Sequence, residues 1–67
     1  MTKIVTATYA SEETLVNVRD DLVSTGIPQE KIRVNKEKRH VQVMSPDVTE
    51  SEIIEIMRRH DPIQLDT

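Results

Sequence analysis

The side chains able to act on a substrate or hold an ion are few and scattered. They are His40 and His60, the serines Ser11, Ser24, Ser45 and Ser51, the adjacent Asp20 and Asp21, and a basic run holding Lys31, Arg33, Lys36, Lys38 and Arg39. Catalysis needs a nucleophile beside a base, or two carboxylates facing one cleft. The serines all fall where caps and turns are expected. Asp20 and Asp21 are neighbours on a helical stretch, so their carboxylates diverge and read as a solvated helix face. The two histidines belong to different segments and have no ligand-type partner four residues away, which leaves a zinc site short of ligands. The chain has no cysteine, so it can form neither a disulfide nor a thiolate metal site. One glycine is too few for a glycine-rich phosphate loop. On these residues the chain reads as a non-enzyme with no cofactor and no metal.

The basic run stands out against the rest. The net charge is −3, yet five cations against Glu30 and Glu37 give residues 30–40 a local excess of +3 and leave −6 elsewhere. One reading is a solvated hairpin whose edge cations block strand-to-strand aggregation. The other is an anion-facing patch of Lys31, Arg33, Lys36, Lys38 and Arg39. Single-stranded nucleic acid is normally held by bases stacked on aromatic side chains. The only aromatic residue here is Tyr9, at a strand end, and no RNA-binding sequence motif is present. Nucleic acid is therefore disfavoured as a partner, although phosphate contacts from the basic run stay open.

These residues must be positioned by short elements. Residues 3–9 are rich in β-branched and aromatic types and read as a strand. Ser11 suits a helix N-cap, and Glu12 and Glu13 favour the positive helix end over any bound anion there. Leu15, Val18 and Leu22 recur at helical spacing, with Val16 and Val23 widening the stripe. Gly26 fits the left-handed C′ position, and Pro28 prevents the helix from resuming. Residues 31–36 and 39–44 each alternate polar and apolar types, which predicts a hairpin. Glu37 and Lys38 suit a tight primed turn poorly, so a longer turn is expected. Pro46 and Asp47 should break the strand. Thr49 and Glu52 match a capping box ahead of an apolar stripe of Ile53, Ile56 and Met57. Glu55 and Arg59 form an i,i+4 pair, and Arg58, Arg59 and His60 place cations at the helix end. Asp61-Pro62 stops the helix, and 63–66 alternates once more as a short edge strand.

The order is strand, helix, strand, strand, helix, strand. It predicts a single α+β domain over 1–67 with the ferredoxin-like split β-α-β arrangement (βαββαβ), an antiparallel sheet covered by two helices on one face. Parity then assigns the two sheet faces. Ile32, Val34, Val41 and Val43 must point at the helices, because their alternates are Arg33, His40 and Gln42. With the first and third strands as neighbours, Val5 meets Val43 and Ala7 meets Val41. The opposite face pairs Ile4 with Met44, Thr6 with Gln42 and Thr8 with His40. The candidate binding surface is therefore an open face of Thr6, Thr8, Arg33, His40 and Gln42, joined by Gln64, with an apolar Ile4–Met44 corner. A solvated face with no binding role is the competing reading.

So short a chain is marginally stable on its own. Small domains without staples often recover stability by self-association, which makes a homodimer or another protein partner the expectation. No apolar run is long enough to span a bilayer, and 1–3 run into a strand pattern rather than a secretory leader, so a cytoplasmic location is expected.

The stretches "KIVTATYASEE", "GIPQEKIRV" and "RRHDPIQL" resemble short, uncharacterised bacterial ferredoxin-like proteins of the general-stress-protein type. The resemblance implies a bacterial, cytosolic, non-enzymatic protein, and it carries no catalytic residues over. In element order alone the chain is also similar to ACT-type regulatory domains, which bind amino acids at dimer interfaces. The function expected is a small interaction or regulatory module that self-associates. The alternatives are anion or nucleic-acid binding by the 31–39 hairpin and small-molecule sensing at a dimer interface.

Overall fold

The computed structural model describes residues 2–66. The first and last residues of the expected 1–67 domain, Met1 and Thr67, lie outside the described residues. Strand β1 (Thr2–Thr8) leads to helix α1 (Glu12–Thr25), then to β2 (Ile32–Asn35) and β3 (His40–Pro46). Helix α2 (Glu50–Arg58) and a short β4 (Gln64–Asp66) follow. The result is an α+β structure in which the four strands form one antiparallel sheet in the order β2-β3-β1-β4.

The register follows the valines. Val5 lies opposite Val43 and Ala7 opposite Val41, while Ile4, Thr6 and Thr8 lie opposite Met44, Gln42 and His40. Strand β2 sets Ile32 beside Val43 and Val34 beside Val41. Strand β4 sets Leu65 beside Ala7. Slipping a strand by one residue would exchange its faces and put its valines, or Leu65 in β4, in water, so burial locks this alignment. Val5, Ala7, Val41 and Val43 are buried with Leu15, Val18 and Leu22 of α1 and Ile53, Ile56 and Met57 of α2. Each of the larger side chains contributes about 1.5–3 kcal/mol on burial. Val16, expected to widen the α1 stripe, is instead half exposed; the stripe is narrow because only one side of α1 meets the sheet and α2.

The ends of α1 form as their residues dictate. The Ser11 hydroxyl accepts from the Thr14 N–H at 3.4 Å. Gly26 takes φ +114°, its N–H donates to the Val23 carbonyl, and the Ile27 N–H reaches back to Leu22. These two bonds satisfy carbonyls that the helix would otherwise leave unpaired.

The entrance to α2 departs from expectation in two ways. Strand β3 ends at Pro46, as expected, but it runs two residues past Met44, so that Ser45 and Pro46 lie opposite Lys3 and Thr2. Proline at a strand end costs no ladder bond that matters. The chain then passes through a 3-10 turn at Asp47–Thr49, so Thr49 already has helical φ/ψ and makes no side-chain cap. Its hydroxyl donates back to the Pro46 carbonyl at 3.3 Å and lies 3.3 Å from the Ser45 hydroxyl. The capping box with Glu52 is not formed, because the turn begins upstream of it. Ser45, expected at a turn, is a buried strand residue.

Candidate functional site

On the face away from the helices, three rows of side chains cross the sheet. One holds Met44 and Ile4, with Lys31 just before β2 beside them. The second runs Arg33, Gln42, Thr6, Asp66, and the third runs Asn35, His40, Thr8, Gln64. All five residues of the candidate surface, Thr6, Thr8, Arg33, His40 and Gln42, thus share one face, with Gln64 at its edge. The Gln42 amide donates to the Thr6 hydroxyl at 3.4 Å, and the Gln64 amide donates to the Asp66 carboxylate at 3.3 Å. These contacts knit the polar rows without burying them.

The apolar corner is a feature in its own right. Ile4 is 55% and Met44 46% exposed, side by side on the two central strands. With Lys31, Arg33 and Gln42 they line an open depression of about 220 Å³. Among the described residues neither Lys31 nor Arg33 is ion-paired. An amphiphilic floor with two cations at its rim suits an apolar group attached to a carboxylate or phosphate. Lys31 was not among the residues assigned to this surface from the sequence, although the period of two that turns Arg33 outward, carried two residues back, was the signal for it.

The five basic residues spread along β2. Lys31 and Arg33 border the depression, while Lys36, Lys38 and Arg39 sit in the four-residue turn at the far end of β2; at strand spacing Lys36 is about 10 Å from Arg33 and about 17 Å from Lys31. That turn is the longer kind expected. The Asn35 carboxamide oxygen accepts from the Lys38 N–H at 3.0 Å, and Arg39 closes the turn at φ +55°. The Arg39 guanidinium donates to the Ala10 carbonyl at 3.0 Å, while its own carbonyl accepts from the Tyr9 N–H. Arg39 is therefore engaged in holding the hairpin tip against the end of β1.

Two further groups take on roles that their sequence spacing did not reveal. The Tyr9 ring is buried among the core residues, and its hydroxyl donates to the Met57 carbonyl at 2.8 Å. Burial pushes its pKa up to about 12. Asp21 is not simply solvated: its carboxylate lies 3.0 Å from His60 Nε2, tying α1 to the end of α2. Asp20 does face outward, 3.5 Å from Arg19. His40 and His60 occupy opposite sides of the sheet, and no group of three or more potential metal ligands converges among the described residues. No helix among the described residues is long and apolar enough to cross a membrane.

No family of known proteins, no curated protein and no solved structure matches this chain.

Proposed function

We propose that this chain is a small non-enzymatic interaction or regulatory module, ferredoxin-like in topology and cytosolic, which self-associates through its open sheet face. The topological part of the reading is supported by the βαββαβ element order together with the strand order β2-β3-β1-β4. The functional part is carried by one observation. Ile4 and Met44 stand exposed together on the two central strands, at one end of a sheet face whose other side chains are polar and poorly suited to covalent chemistry. Exposed apolar clusters rimmed by polar groups mark contact surfaces. Sedimentation velocity over a concentration series from micromolar to millimolar tests the reading. A sedimentation coefficient that rises with concentration is expected; a constant monomer value throughout removes self-association.

A second reading has its own observation, the depression at the same corner. Lys31, Arg33 and Gln42 around an apolar floor suit a small organic anion. Titration with hexanoate, followed by amide chemical shifts, should move residues 4, 31, 33, 42 and 44 as a group. Inorganic phosphate alone should move fewer of them, and shifts spread evenly over both faces would count against a site.

A further inference from the structure

From the charge order of one side-chain row we infer that the open faces of two copies pack together about a two-fold axis parallel to the strands. In this arrangement Arg33 of each copy lies against Asp66 of the other. The inference rests on the self-association reading and gives it a geometry.

The second row crosses the whole sheet as Arg33, Gln42, Thr6, Asp66. It is positive at the β2 edge, neutral in the middle and negative at the β4 edge. Arg33 and Asp66 are both exposed. Two faces can be apposed by an in-plane two-fold axis in two principal ways. An axis parallel to the strands exchanges the edges and preserves the rows. It sets Arg33 over Asp66, Gln42 over Thr6, and Met44 over Ile4, each pairing occurring twice. An axis perpendicular to the strands keeps each edge over itself. Centred on the second row, it would set Arg33 over its own copy at one edge and Asp66 over its own copy at the other, and like charges so placed repel. Charge therefore selects the first axis, and the exposed apolar pair, on the two central strands, meets itself across that axis.

The scale of the contact also follows. Sheets pack about 10 Å apart, a gap that long side chains such as arginine and methionine can fill from both sides. Four strands at about 4.8 Å spacing, with three rows about 7 Å apart, present roughly 400 Å² on each copy. Stable interfaces use about 800 Å² on each side. The pair is consequently weak and rapidly exchanging. Its ion pairs lie at the rim, so salt should loosen it.

Sedimentation equilibrium at low salt on four proteins tests this geometry: the native chain, Arg33→Asp, Asp66→Arg and the double reversal. The native chain is expected to dimerise reversibly. Each single reversal should weaken the dimer by at least about tenfold, and the double reversal should return it to within about threefold of native. Far-UV circular dichroism checks that each variant is folded, which both exposed positions should permit. A native chain that stays monomeric at millimolar concentration overturns the self-association reading and this geometry together. A native dimer indifferent to the reversals, or a double variant that does not recover, overturns only the geometry. Crosslinking gives an independent arm, because the chain has no native cysteine. Thr6→Cys should be joined to its copy by a short bis-maleimide, while Asn17→Cys, exposed on α1, should not. The opposite pattern would place the interface on the helices and refute the arrangement.

Discussion

Gln42 and Val43 are consecutive residues of one strand, yet they belong to different tasks. Val43 is fully buried beneath the helices, and Gln42 lies on the open floor with its amide on Thr6. The same division holds along β1, where Val5 and Ala7 are buried and Ile4 is exposed. Strand alternation separates the side chains that hold the fold from those free to meet a partner. A sheet covered on one side only can thus change its contacts without changing its core.

That contrast is broken most severely by charge. Val43→Asp would bury an unpaired carboxylate, a cost that exceeds the few kcal/mol available to a domain of this size. Far-UV circular dichroism at 25 °C should show an unfolded chain. Gln42→Asp, one residue away, should keep the native spectrum. Next in size is a cavity on the helix side. Leu22→Ala should cost about 2–5 kcal/mol in urea unfolding. The Ile27 N–H bond that closes α1 goes to the backbone carbonyl of residue 22 and is kept, so the loss reports the cavity alone.

Tyr9 gives a smaller effect with a pH signature. Below pH 10 the ring is neutral both folded and unfolded, so its ionisation contributes nothing. Above pH 10 the unfolded chain ionises first, because the folded pKa is pushed up to about 12. Stability should then fall between pH 10 and pH 12, with a slope of up to about 1.4 kcal/mol per pH unit. Tyr9→Phe should remove this slope and cost about 1 kcal/mol at neutral pH for the lost bond to Met57. Urea unfolding of both chains at pH 8, 10 and 11 checks both statements. Smallest is the open face itself. Met44→Thr should change stability by no more than about 0.5 kcal/mol while reducing any association measured by sedimentation. A large loss of stability would mean that the two faces are not independent.

Much of this partition was legible before any coordinates, and the reason is local. The valines at 41 and 43 alternate with His40 and Gln42, and a period of two leaves a single consistent alignment with Val5 and Ala7. Ser11 and Gly26 act within a few residues of themselves, so the ends of α1 were equally readable. What stayed hidden depends on distance or competition. Thr49 and Glu52 carry the pattern of a capping box, but Ser45 and the Pro46 carbonyl offered the hydroxyl nearer partners. His60 and Asp21 are 39 residues apart, and Tyr9 and Met57 are 48 apart. No spacing rule spans such gaps. Closeness in sequence also did not show how the basic run is laid out, with Lys31 and Arg33 at the depression and Lys36, Lys38 and Arg39 in the turn beyond β2.

The lone aromatic ring has a practical use. The chain has no tryptophan or phenylalanine and a single tyrosine. Tyr9 lies on the helix side, in a fixed hydrogen bond. Its near-ultraviolet signal therefore reports whether the interior is intact, and it should stay silent when something settles on the opposite surface. The molecule carries its own optical control, able to separate binding from denaturation without any label.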